Sequence, residues 1–284
     1  MASFFVLELH AHVRVKIIMI GAIIGDICGS LFNKSSCEMK DFDLLNSRAF
    51  LGADGVMTFA VWNICLNATY SDKKAMIDTM RMWGDKHPDI DYGAKFYSWL
   101  LVRRDYESND SYGNGAAARV CAIPYFCESI EEVKERCSII TALSHNHVEA
   151  IKSAEVVGIT IFKALRKASK SELSEYMGNN YPILKDEMSL RQFIEANPRS
   201  TCQVSLSVAC SSFLLTDSFE ECLRLVLSLG QDASTNACIA CSIAEAFYGI
   251  DSISKELKDF AVSKTFEHGE AEGVSLLLRE MNRL

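Results

Sequence analysis

Apolar residues recur three and four positions apart through almost every stretch of this 284-residue chain, and that period limits the fold more than any other feature. It predicts helices over 17–31, 56–69, 73–84, 130–143, 148–168, 203–215, 219–229, 235–248 and 254–278. Start signals agree: Ser129 with Glu132 and Ser218 with Glu221 have capping-box spacing, and Ser71 and Asp217 sit where N-caps belong. Strand-like alternation is confined to residues 3–17 and carries little weight. Four prolines, scattered glycines and no charged or Ser/Gly run leave no linker, so one all-α domain is expected. Met19 could serve as the functional start, which would make residues 1–18 an N-terminal extension to a domain over 19–284.

A composition of 49% hydrophobic and 23% charged residues is that of a globular chain with a sizeable core. The formal charge of −8, with no basic cluster to override it, argues against broad nucleic-acid binding. Eleven cysteines in irregular spacing give no second metal-like pair to match Cys121 with Cys127 or Cys238 with Cys241, so free thiols packed as small hydrophobes are expected rather than a zinc site. Glu8, Arg14 and Lys16 interrupt the apolar N-terminus too often for a signal peptide or membrane span, and a cytoplasmic protein without membrane partners is expected.

Five short stretches could carry chemistry. In GAIIGDICGSLFN (21–33), Gly21, Gly25 and Gly29 recur every fourth residue and strip one helix face of side chains, so a second helix can approach closely. Asp26 sits inside that apolar helix and needs a partner there. LGADGVMTFAVW (51–62) looks like a loop feeding a helix where carboxylates would gather, yet it holds only Asp54. In LGQDASTNACIACSIAEAFYG (229–249), Asp232, Ser234 and Thr235 precede a helix; oxygen ligands two apart can face one hard cation, but the same residues also make a good N-cap. DSYGNGAAARV (110–120) reads as a tight loop opening a helix, where free N–H groups suit an anion such as a diphosphate. SHNHVEAIKSA (144–154) sets His145 and His147 at another helix start, for which hydrogen-bonding and capping roles are favoured over metal ligation.

Taken in this order, the segments resemble the ADP-ribosylglycohydrolases, from about Met19 to about residue 275; SYGNGAAARV, ALSHNHVEAIKSAE and IAEAFYGI carry the closest likeness. The resemblance implies a compact all-α domain with a central cleft. That cleft usually holds two magnesium ions and hydrolyses the bond joining ADP-ribose to a protein side chain, or related adducts. By that likeness Ser111, Tyr112, Gly113, Asn114, Gly115 and His145 face the distal ribose and diphosphate, with Asn33 at the cleft. Neighbouring changes, Val148 for Pro, Ala150 and Ser153 for Gly and Ala118 for Met, would narrow or reshape it.

The metal loops depart from the family pattern. Where that pattern reads T-D-D-T, this chain has Gly52, Ala53, Asp54 and Gly55; where it reads G-G-D-x-D-T, Gln231 replaces the second glycine and Ser234 the bridging carboxylate, while Asp232 and Thr235 remain. Asn33 stands where glutamate is common. Two dications need a bridging anion between them. Asp54, Asp232 and Thr235 are therefore expected to hold at most one magnesium ion. The leading expectation is a pseudoenzyme that binds ADP-ribose or an ADP-ribosylated protein, with hydrolysis weak or lost. The alternatives are a hydrolase using Asp54 and Asp232 with a single ion or no metal, and a non-catalytic scaffold.

Overall fold

A computed structural model describes residues 19–281 except 35, 38 and 39. Its helices are α1 (Ile20–Gly29), α2 (Ala53–Asn67), α3 (Lys73–Lys86), α4 (Ala94–Tyr97), α5 (Gly115–Ala118), α6 (Ile130–Ala142) and α7 (Val148–Leu165), then α8 (Lys170–Gly178), α9 (Glu187–Ala196), α10 (Cys202–Leu214), α11 (Phe219–Ser228), α12 (Ala233–Tyr248), α13 (Lys255–Glu267) and α14 (Ala271–Met281). No strand occurs among the described residues, so the all-α expectation holds. The expectations for residues 1–18 lie outside the described residues.

Helix α12 is the axis of the molecule. Every residue from Ala233 to Ala246 is buried, as befits a helix surrounded on all sides, and it packs against α1, α7, α10 and α11. Its closest partner is α1, for the reason the glycine repeat suggests. A methyl group on Gly21 would lie 2.6 Å from the Cys241 carbonyl oxygen; on Gly25 or Gly29 it would fall on the backbone of Ala237 or Ser234. The two backbones touch because one of them has no side chains at the contact.

Neither α1 nor α2 caps its own N-terminus. Met19 and Gly52 stand at the N-cap positions without a side-chain bond. Buried carboxyls from neighbours take over: Glu245 Oε2 accepts from the Gly21 N–H at 2.6 Å, and Asp26 Oδ2 accepts from the Gly52 N–H, also at 2.6 Å. Asp26 thereby finds the partner that an acid in an apolar helix requires. Its Oδ1, like Glu245 Oε1, is buried without a hydrogen-bond partner among the described residues.

Elsewhere the structure shifts several expected boundaries. Asp72, one residue after Ser71, caps α3, and Ser218, one residue after Asp217, caps α11. Ser129 and Ser218 accept from the third helical N–H as expected, but Glu132 and Glu221 reach back to Glu128 and Asp217 rather than to the serines. The single helix expected over 254–278 is two helices, because the chain turns at Gly269 with φ of +77°. Helices α8 and α9 are not among those expected; they are short, and each buries only two residues, Leu173 with Met177 and Leu190 with Ile194. All eleven cysteines are free, and ten of them are buried. Among the described residues no helix is long and apolar enough to cross a membrane.

Two tests follow from this packing. Gly25→Ala places a methyl on the backbone of Ala237, which cannot swing aside, and is expected to lower stability by about 3 kcal/mol or more in chemical denaturation. Gly93→Ala, with open space around it, should change stability by less than about 0.5 kcal/mol. The second concerns pH. Burial pushes Glu245 up to about 8, against the partial relief of the Gly21 and Ile20 N–H groups, so the folded state keeps a proton that the unfolded chain has released. That contribution is complete below the ordinary glutamate range and is lost as pH rises through about 8. The melting temperature should therefore fall from about pH 5 to about pH 8, and Glu245→Gln, which still accepts from Gly21, should flatten the fall.

Candidate active-site cleft

The close approach of α1 and α12 sets the residues after α1 against the start of α12. Asn33 is the clasp: its carbonyl accepts from the Asp232 N–H at 3.2 Å and its Oδ1 accepts from the Ser234 N–H at 2.9 Å. The turn into α12 is tight, with Gly230, Gln231 and Asp232 all left-handed at φ of +66°, +44° and +60°. Two of the three carry side chains, at a cost of about 1–3 kcal/mol each. Asp232 occupies the N-cap position, but its side chain makes no cap bond, so the capping role is not realised. Its Oδ2 instead accepts from Asn114 Nδ2 at 2.5 Å, while the same amide donates to Ser205 Oγ at 2.7 Å.

Asp54 faces Asp232 from the first turn of α2. Its Oδ2 accepts from the Thr235 hydroxyl at 2.5 Å. Burial raises its pKa to about 7; the Thr235 bond offsets part of this, Asp232 adds to it, and the buried guanidinium of Arg119 opposes it. Asp232 is thus close enough to add to the cost of charging Asp54, and each carboxylate is tied to a donor across the cleft.

Behind Asp54 the loop has closed onto Asp26. A Cβ at Gly52 would lie 2.8 Å from Asp26 Oδ1, and one at Gly55 would lie 2.6 Å from Asp26 Oδ2. The space that threonines would need at both ends of the loop is filled by this carboxyl. Restoring a side chain at either place requires Asp26 to move.

These residues border a cavity of about 300 Å³. Asp54, Asp232, Ser234, Thr235 and Asn33 line it. So do Asp91, Lys34, Ser30 and Phe50, which carry no sequence signal: Asp91 is one acid among several in an irregular stretch, and Lys34 one exposed lysine among many. A larger hollow of about 370 Å³ between α13 and α14 is lined mainly by Val262, Phe266, Val274 and Leu278 and lacks a comparable set of polar groups.

The glycine loop adjoins the cavity through Asn114 and through Gly115, whose missing side chain leaves room for Asp54 Oδ1. Backbone and side chains both hold it: Gly113 bridges Thr201, the Cys202 N–H donates to the Tyr112 carbonyl at 3.1 Å, the Gly113 N–H donates to Ser111 Oγ at 3.3 Å, and Cys202 Sγ donates to the Gly113 carbonyl at 3.3 Å. The helix it opens is only four residues long before passing into 3₁₀ turns over Arg119–Phe126, so a strong helix dipole is not available there. His145 lies behind Gly113, with Nε2 3.6 Å from where a Cβ would stand. His147 caps α7, its Nδ1 accepting from the Glu149 N–H at 3.1 Å. Tyr112 stands half-exposed with its ring 5.0 Å from that of His147.

The donor set can be weighed against magnesium. All candidate donors are oxygens, which suits a hard cation, and the raised charge cost of Asp54, to which Asp232 contributes, is what a cation would relieve. Asp54, Asp232 and Thr235 fit one ion. Ser234, beside them in the loop, offers no carboxylate to bridge two ions.

Comparison with known proteins agrees with this geometry. A solved structure described as an ADP-ribosylglycohydrolase-related protein complex superposes with a TM-score of 0.65 at 20% identity, covering 92% of this chain and 96% of that one, which establishes a shared fold. The sequence profile of the family described as ADP-ribosylglycohydrolase matches residues 9–267. The chain belongs to the ADP-ribosylglycohydrolase family.

Proposed function

We propose that this member of the family binds ADP-ribose, free or attached to protein, and that its hydrolytic activity is weak or lost. The observation that carries the reading is the state of the cleft carboxylates. Asp54 and Asp232 are bonded to Thr235 and Asn114, Ser234 stands at the bridging place, and Asp26 fills the room of two further side chains. Orienting and activating a water against an anomeric carbon requires a fixed array of charge and donors, and misplacement near 1 Å can cost about a hundredfold in rate. Binding asks less. The backbone of the glycine loop and the exposed ring of Tyr112 supply N–H donors and a stacking surface suited to a nucleoside diphosphate, and Asn114 braces the loop.

A single-ion hydrolase is the second reading, favoured by one observation: Asp54, raised to about 7, is poised to hold or release a proton beside Asp232. If one magnesium ion is held, Asp54, Asp232 and Thr235 would hold it, and it would supply Lewis-acid polarisation. The chain's own contribution is to fix Asp54 through Thr235 and Asp232 through Asn114.

Calorimetric titration of ADP-ribose with and without magnesium separates the readings. The proposal expects saturable binding whose affinity changes less than about threefold on adding magnesium, a difference under 1 kcal/mol. Binding that requires magnesium, with steady release of ADP-ribose from a modified protein, would establish the single-ion hydrolase instead. No binding in either condition would leave only the scaffold.

A further inference from the structure

Arg119, Ser144 and His145 form a buried chain behind the glycine loop that the cleft chemistry above does not use. We propose that Arg119 and Ser144 are positioning residues that fix His145 in its Nε2–H tautomer, so that this N–H faces the Gly113 end of the loop. The inference rests on the reading of the loop as a ligand site.

Arg119 is 1% exposed, and its guanidinium has N–H groups only. Nη2 donates to Ser144 Oγ at 2.8 Å and reaches the carbonyls of Thr141 and Ile140 at 3.3 and 3.5 Å. Those carbonyls belong to the last turn of α6, where helix oxygens lack intrahelical partners and favour a cation. The guanidinium also lies over the Phe96 ring at 5.3 Å, so its position is fixed on three sides.

Ser144 transmits the constraint. It is fully buried, and its oxygen receives the arginine proton. Its own hydrogen has one acceptor within reach among the described residues, His145 Nδ1 at 2.8 Å. If Nδ1 carried the proton, two hydrogens would meet at that contact or the serine hydrogen would be buried unpartnered. An unpartnered buried hydroxyl weakens that alternative by about tenfold or more. The imidazole therefore keeps Nδ1 bare and its proton on Nε2.

The ring cannot turn away. His145 pairs through its backbone with Asn109, its own N–H donates to the Thr141 carbonyl at 2.9 Å, and its ring packs 5.6 Å from that of Phe96. Only 5% of the residue is exposed, and Nε2 has no hydrogen-bond partner among the described residues. It lies on the side of Gly113, where the absence of a side chain leaves the approach open. Burial, then the charges of Arg119 and Lys95, favour a neutral imidazole, so one ring nitrogen is bare. A neutral N–H aimed at the loop suits an oxygen acceptor on a phosphate or a ribose.

Long-range ¹H–¹⁵N spectra of the histidine side chains, with His145→Gln to assign the signal, test the inference in the ligand-free protein. The expected spectrum shows His145 at neutral pH protonated on Nε2 and bare on Nδ1. An Nδ1–H tautomer or an imidazolium in the unmodified protein would overturn it, whether or not any variant folds. In Ser144→Ala the tautomer preference should relax and ADP-ribose affinity fall about tenfold, the loss of one aligned hydrogen bond, while Ser144→Thr keeps the hydroxyl and the affinity. Ser144→Ala and His145→Gln should not be additive, because the serine acts through the histidine. Additive losses, or an unchanged tautomer in Ser144→Ala, would assign Ser144 to packing alone. If the unmodified protein shows the expected tautomer but no ADP-ribose binding, the ligand reading fails and the positioning chain stands.

Discussion

Backbone contact between α1 and α12 is the interaction on which the rest of the molecule depends. Three glycines at four-residue intervals let α1 rest directly on α12, and the contact is made at Cys241, Ala237 and Ser234 in turn. The last of these is a cleft residue. Because Gly29 lies on Ser234, the chain leaving α1 delivers Asn33 to the first turn of α12, and the carboxyl at Asp26 arrives under the first turn of α2. Packing that gives the core its density also sets the geometry of the cleft.

The electrostatics of the cleft follow from what that packing buries. Asp54 acts on the charge of Asp26 on one side and feels that of Asp232 on the other, and the buried cation opposing it is Arg119. In a two-ion site the cations would offset such an assembly. In our reading this chain uses other means: burial, then Asp54, raises Asp26 well above the usual carboxylate range, Asp54 is raised to about 7 with Thr235 as donor, and Asp232 takes the Asn114 amide. The bonds to Asp54 and Asp232 occupy oxygens that a metal would otherwise use. The glycines at 52 and 55 belong to the same arrangement, since Asp26 stands where their side chains would be.

Much of this was legible in the sequence, for identifiable reasons. The helical period located the long buried elements, α2, α7, α10 and α12, because their burial is extensive enough to write a pattern. The glycine repeat foretold a close helix contact, though not its partner, which is more than two hundred positions away. Local signals were less faithful. Asp232 looks like an N-cap, but left-handed backbone at the turn directs its carboxylate across the cleft, and Gly269 ends a helix whose side-chain period continues beyond it. Arg119 lies in an apolar run that reads as core, and its chain to Ser144 and His145 joins a 3₁₀ segment to the turn after α6. Asp91 and Lys34 enter the cleft by tertiary placement alone.

The central claim is that the cleft has exchanged a two-ion arrangement for internal hydrogen bonds and protonation. Anomalous scattering from crystals soaked in manganese tests it most directly. The account predicts no more than one peak in the cleft, bounded by Asp54, Asp232 and Thr235. Two peaks about 4 Å apart, the spacing of a two-metal site, would contradict it.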